Sequence, residues 1–324
     1  VAGDALVALA AEPGADAGSL SSGRVLPDAA ADPWVARRHG GWRRLWRLDV
    51  EGHAALPISP EGYPVWELAA RPGGGFVVVC SDEPGEDGWY RPRLGLVGDD
   101  PSAEPVILHE SRWQLSSPAV SPDGRRIAFA EGWASDRGLL AGDVRVVDAA
   151  GGVVEPLDAG VDVTWLRWTD DGRLWFAGWD HLGTAWGWFD APGSGAAPSV
   201  HREAAGCLNS RLHPEVVPLG DDTALTTRST ADTPPQVVRL SAGSAPRPWT
   251  AFNVGLAERR RFGVQELRWA SEENSDLDGL VALPRSGPGP WPLVVDILED
   301  RASPGTTAGV SPGRNCSPPR ATPC

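Results

Sequence analysis

One stretch of the chain has the residue types and spacing for nucleophilic chemistry. Gly309-Val310-Ser311-Pro312-Gly313 fits the G-x-S-x-G pattern, in which a sharp strand-to-helix turn presents a serine hydroxyl for attack. Its surroundings do not fit that role. Ser303-Pro304-Gly305-Thr306-Thr307 precedes it where a buried strand is needed, and Arg314-Asn315-Cys316-Ser317-Pro318-Pro319 follows where a helix is needed. A serine nucleophile also needs a histidine base held by an acid. In the serine–acid–histidine order these follow the serine, yet no Asp, Glu or His occurs beyond Ser311. Ser311 is therefore read as an inert alcohol in a Ser/Gly/Pro tail.

The other candidates are dispersed. His39, His53, His109, His181, His201 and His213 fall on expected loops and strand ends, and none forms H-E-x-x-H or stands at ligand spacing from carboxylates. Asp123, Asp170 and Asp171 sit in turns, where such side chains satisfy backbone N–H groups. A sialidase-type Asp-box needs a residue between its Asp and Gly. Asp123-Gly124 and Asp171-Gly172 are adjacent; Asp170 restores the spacing in one copy, but the Thr-Trp ending is missing there, which weakens a glycosidase reading. Cys80, Cys207, Cys316 and Cys324 lack metal spacing, and Cys80 and Cys207 read as small apolar residues in a reducing compartment. There is no phosphate-cradling glycine loop. The expectation is no catalytic residue, no metal ligand and no cofactor site in this chain.

The elements that would carry any site are short strands. Among 324 residues, 39 Gly and 31 Pro imply many turns, while 16 Trp supply enough burial to offset ordering entropy. A net charge of −14 argues against nucleic-acid binding, which needs a basic face. The basic cluster of Arg37, Arg38, His39, Arg43, Arg44 and Arg47 is read as a solvated loop and strand edge. No apolar run reaches the ~18 residues of a membrane span. The apolar start lacks a basic region and is interrupted by Asp4, a poor signal peptide, so the expected location is cytoplasmic.

A repeat organises the strands. Ser121-Pro122-Asp123-Gly124-Arg125 leads into Arg126-Ile127-Ala128-Phe129-Ala130, a turn followed by a strand. Thr169-Asp170-Asp171-Gly172-Arg173 leads into Leu174-Trp175-Phe176-Ala177 in the same way, with looser copies at 71–79 and 218–226. The glycines recur roughly every 48 to 51 residues, the period of four-stranded propeller blades. Strands are expected before each turn at Val65–Leu68, Ser117–Val120 and Thr164–Trp168, and further on at Val144–Asp148, Trp186–Asp190 and Gln236–Leu240. The first blade would combine Gly3–Leu9 with Trp46–Val50. The fold class expected is all-β, a β-propeller with about five recognisable blades at 1–58, 59–110, 111–158, 159–203 and 204–250. The Trp residues are expected to fill the space between blades.

Past Thr250 the character changes. A strand at Val264–Trp269 is followed by the polar turn Ser271–Asp276, then Leu277-Asp278-Gly279-Leu280-Val281-Ala282-Leu283-Pro284. A Gly/Pro linker leads to Trp291-Pro292-Leu293-Val294-Val295-Asp296-Ile297, which reads as a buried strand. From Leu298 to Cys324 the only aliphatic residues beyond Ala are Leu298 and Val310, a composition expected to be disordered.

This order of elements resembles the prolyl oligopeptidase family of serine peptidases, in its acylaminoacyl-peptidase and dipeptidyl-peptidase-like branch. The resemblance rests on the Ser-Pro-Asp-Gly blade turns, Asp278-Gly279, Leu280–Pro284 and Pro292–Val295, and it reaches Ile297. It implies a propeller at 1–250, and a junction at 251–297 carrying the first strands of a truncated α/β-hydrolase domain. In the family the next residues are His-Gly-Gly-Pro. Codons CTG-GAG-GAC-CGG would encode Leu298-Glu299-Asp300-Arg301, and one added base turns them into CAT-GGA-GGA-CCG, which is His-Gly-Gly-Pro. The tail 298–324 is thus expected to be the product of a frameshift. The complete enzyme would cleave short or N-terminally blocked peptides through a Ser-Asp-His triad, its propeller excluding folded proteins. The chain alone would be inactive. The alternative is a non-enzymatic, TolB-like propeller that binds a protein partner through its loops.

Overall fold

The computed structural model describes residues 6–12, 42–49, 51–98, 100–134, 137–203, 206–209, 213–231, 233–253, 255, 262–270, 276–284, 287 and 289–295. Its contacts divide the chain into two compact units, 1–140 with 145–155, and 141–144 with 156–324.

The first unit begins with a three-stranded sheet of β1 (Leu6–Ala11), β2 (Arg43–Asp49) and β3 (Ala54–Pro57). Next comes a four-stranded antiparallel sheet of β4 (Val65–Ala70), β5 (Phe76–Cys80), β6 (Arg93–Val97) and β7 (Val106–Glu110), with a single-turn helix α1 (Glu86–Trp89) between β5 and β6. The third sheet contains β8 (Gln114–Val120), β9 (Arg126–Gly132), β10 (Asp143–Asp148) and β11 (Glu155–Leu157). The second unit holds a four-stranded sheet of β12 (Asp162–Trp168), β13 (Leu174–Asp180), β14 (Gly183–Phe189) and β15 (Ser199–Glu203). A five-stranded sheet follows, made of β16 (Gly206–Leu208), β17 (Val217–Gly220), β18 (Thr223–Thr230), β19 (Gln236–Ser241) and β20 (Ser244–Pro248). The hairpin of β21 (Phe262–Ala270) and β22 (Asp276–Pro284) stands apart as its own sheet. Successive antiparallel sheets, with strands paired in chain order except at β16 and β17, are the blades of a β-propeller portion.

Two sheets depart from the expected four strands. The first has three among the described residues. In the fifth, β16 pairs with Arg228–Thr230 and β17 with Thr223–Leu225, so two short strands share one edge of the long β18. The innermost position is thus split into two pieces.

The repeated turns explain why each hairpin starts where it does. In one, Gly124 takes φ 72° and its N–H reaches Ser121 O at 2.8 Å. The Ser121 hydroxyl donates to Asp123 at 2.6 Å and accepts from Arg126 N at 2.9 Å, while Asp123 accepts from Arg125 N. Thr169, Asp171, Gly172 and Arg173 repeat this arrangement. These bonds, led by the serine or threonine hydroxyl, lower the pKa of both Asp123 and Asp171. The sequence showed the aspartates as backbone acceptors; the hydroxyl two residues earlier is the further part.

The core lies between neighbouring sheets. In the first unit Leu45 and Ile58 pack with Val65, Phe76 and Val78, and Trp66, Val79 and Leu94 pack with Leu115, Ile127 and Phe129. In the second unit Trp175, Trp186 and Trp188 pack with Leu208, Ala224, Val238 and Leu240. The Trp residues act there as filling. Gly187 on β14 allows β15 to approach closely, since a Cβ at that position would lie 2.0 Å from Ser199 O.

Two expectations are corrected. Arg44 is not solvated: it is 6 % exposed, donates twice to Ser59 O, and pairs with Glu12 and Glu61. A buried guanidinium is stable only with such a full set of acceptors. Arg37, Arg38 and His39 lie outside the described residues. The segment expected as a buried strand is exposed and unpaired instead. Leu293, Val294 and Val295 are 77 %, 87 % and 68 % exposed, and residues 291–295 form no strand. A strand exists only with a hydrogen-bonding neighbour, and among the described residues none is supplied. Asp296, Ile297 and the tail 298–324, with Ser311, Cys316 and Cys324, lie outside the described residues. No helix among the described residues is long and apolar enough to cross a membrane.

Candidate functional site

The inner strands are tied to one another at the period of the repeat. Glu67 on β4 accepts the backbone N–H of Ser117 on β8 at 2.6 Å, fifty residues on. Both strands bulge at these points, and Ser117 takes φ 51°. Burial raises the Glu67 carboxyl to about 7, against the opposing pull of the Ser117 N–H. In the second unit the Thr164 hydroxyl on β12 donates to Pro214 O at 2.9 Å, again fifty residues on.

Three side chains meet at Glu131 on β9. Ser111 donates to it at 2.6 Å, His109 Nε2 lies at 3.0 Å and Arg145 Nε at 2.8 Å. A serine, a histidine and a carboxylate thus share one place, but their wiring is not nucleophilic. A hydroxyl nucleophile must give its proton to the imidazole. Here serine and histidine both address the carboxylate. Burial alone would raise the Glu131 pKa, yet the bonds from His109, Ser111 and Arg145 hold it at about 2. A carboxylate that acidic is a poor base. The cluster fastens β7 to β9 and β10.

The remaining sequence candidates are not brought together. His53 lies in a turn at φ 53°, and His201 packs against Trp186 and Trp188. Burial lowers the His201 pKa. The His213 carbonyl accepts from Asn209. Burial raises the Cys80 and Cys207 thiols to about 12 and about 11, which keeps them protonated and unreactive. Among the described residues no group of three or more His, Cys, Asp or Glu could hold a metal ion.

The residues that sequence reasoning missed belong to the hairpin. Side chains alternate between the faces of a ribbon. The register pairs Arg268 with Asp278 and Leu267 with Gly279, putting Arg268 and Asp278 on one face and Leu267, Trp269, Leu277, Val281 and Leu283 on the other. The first face carries Asp278, 4 % exposed, bonded through Oδ2 to His181 Nδ1 at 2.8 Å and through Oδ1 to Arg268 Nε at 3.3 Å. On the second face Leu267 is 47 % and Trp269 46 % exposed. The Trp269 ring lies over Gly279, where an added Cβ would meet ring carbons at 3.1 Å. Asp278-Gly279 therefore does two jobs: the acid faces the blade, and the glycine makes room for the indole. The His181–Asp278 pair spans 97 residues, which no local pattern announces.

The fold is that of the propeller portion of prolyl oligopeptidase-type peptidases. The chain is similar to a solved acylaminoacyl peptidase in complex with a chloromethyl ketone, at 15 % identity and TM-score 0.52, over 88 % of this chain and 42 % of that one. A Pyrococcus horikoshii acylaminoacyl peptidase gives 15 % identity and TM-score 0.52, over 85 % and 41 %. A putative TolB from Agrobacterium tumefaciens gives 16 % identity and TM-score 0.44, over 63 % and 73 %. The chain thus spans about two-fifths of the length of these peptidases. No family model matches the sequence, and neither does any curated protein sequence.

Proposed function

We propose that this chain is the substrate-gating propeller portion of a serine peptidase of the prolyl oligopeptidase type, and that β21–β22 is the seam on which its catalytic α/β domain sits. The observation that carries this reading is the hairpin. A two-stranded ribbon is marginal on its own. This one buries the Asp278 carboxylate against the blade and leaves Leu267 and Trp269 about half exposed on its other face. An open apolar face calls for a covering layer. The propeller-type fold and the junction sequence support reading that layer as a hydrolase domain. A free-standing protein-binding propeller has no use for the apolar segment Trp291–Val295 that follows the hairpin.

In the complete enzyme the blades admit short or N-terminally blocked peptides and exclude folded proteins. A Ser-Asp-His triad in the catalytic domain cleaves them. The buried thiols of Cys80 and Cys207 suit a reducing, cytoplasmic setting. Purified on its own, the chain is expected to leave chromogenic aminoacyl and acyl-aminoacyl substrates intact. Hydrolysis that a serine-directed inhibitor blocks would contradict the assignment of the triad to another domain.

A further inference from the structure

We propose that His181 and Asp278 form a release latch, which holds the β21–β22 hairpin on the β13–β14 turn and lets it swing free as a unit. Three observations carry it. First, among the described residues the two hairpin strands pair only with each other, as a sheet of their own. Second, the two oxygens of Asp278 are claimed by partners with different loyalties. His181 belongs to the blade, whereas Arg268 is the cross-strand neighbour of Asp278 and moves with the hairpin. Opening the latch therefore breaks one bond to the carboxylate and leaves the other in place. Arg268, on the same ribbon and largely exposed, keeps its pairing with the carboxylate in both positions.

Third, the catch is presented by a tight turn. Asp180 pairs with Gly183, and His181 sits between them at φ 55°, a conformation that histidine tolerates better than most residues. The imidazole is 46 % exposed and the carboxylate 4 % exposed, so the latch can be reached from the His181 side. The latch is a property of this chain alone and does not rest on the peptidase reading.

The test is amide hydrogen exchange on the full chain and on His181→Gly. Glycine suits the positive φ, so the turn and its blade stay folded without the ring. Once released, the two-stranded ribbon is marginal on its own and its ladder opens, so amides of 262–270 and 276–284 are expected to exchange about tenfold faster or more, while those of β13 and β14 keep their wild-type rates. Asp278→Asn is expected to speed the same amides in a second, independent variant. Unchanged hairpin exchange in His181→Gly would overturn the latch. A parallel rise in β13, β14 and the hairpin would overturn it too, since it would make His181 a support of the blade.

Discussion

Replacing Glu131 by alanine is expected to destabilise the protein by about 3–5 kcal/mol, the range for breaking a buried charged network from one side. The carboxylate is 12 % exposed and serves three side chains, so its loss removes a shared partner from His109, Ser111 and Arg145. Glu131→Gln keeps the shape but points an amide N–H at groups that are themselves donors, so it is expected to recover only part of the loss. The pH dependence has a definite sign. The folded pKa is held at about 2, below the ordinary 4.5, so the contribution is fully present above 4.5. It is lost as pH falls through about 2, and its size is on the order of 3 kcal/mol. Urea denaturation of wild type and Glu131→Gln between pH 5 and 2 checks this. The wild type should lose stability faster than the variant; parallel curves would show that the cluster contributes nothing.

The second large effect lies in the tryptophan core of the other unit. Trp175 is 1 % exposed, stacks on Trp186 at 5.9 Å and 14°, and meets Trp188 at 4.8 Å. Trp175→Ala removes the middle of that stack and is expected to cost about 3–5 kcal/mol. Trp175→Phe preserves part of the burial and is expected to cost clearly less. Thermal unfolding measures both, and near-UV circular dichroism should lose the signal of the coupled indoles. An alanine variant as stable as the wild type would mean that the indoles do not form this stack.

What the sequence made legible was local. Ser121–Arg125 and Thr169–Arg173 announce a turn because Asp and Gly have specific backbone uses, and the strand that follows alternates or is wholly apolar. Those signals recur, so the sheets could be read from them. Links between sheets were not legible one at a time. Glu131 meets residues 20 and 22 positions earlier and 14 later, and nothing near Glu131 marks it. A signal was nonetheless present in the repeat. The outer strand of one sheet carries, at or next to its end, a side chain that meets a partner on the second strand of the next: His109 with Glu131, and Glu203 with Arg228 at 3.0 Å. Aligning the repeats by their turn glycines would have placed these pairs opposite each other. The burial of Arg44 was missed for a related reason, since Glu12 lies 32 residues away.

The junction shows the opposite failure. Trp291–Val295 has the composition of a buried strand, and composition alone cannot supply the neighbour that a strand needs. The hairpin before it forms fully because β21 and β22 satisfy each other's backbone groups across nine paired positions. It still leaves Leu267 and Trp269 exposed on one face. Both segments make sense together if a further layer covers them, which is the central claim.

The most direct test of that claim is the nucleotide sequence of the gene from the codon for Asp296 onward. The expected result is a reading frame, one base displaced at Leu298, that begins His-Gly-Gly-Pro. That frame should continue into an α/β domain with a serine elbow, an acid and a histidine in that order. A gene that encodes no hydrolase domain in any frame after Val295 would contradict it, and the hairpin's open face would then belong to a different partner.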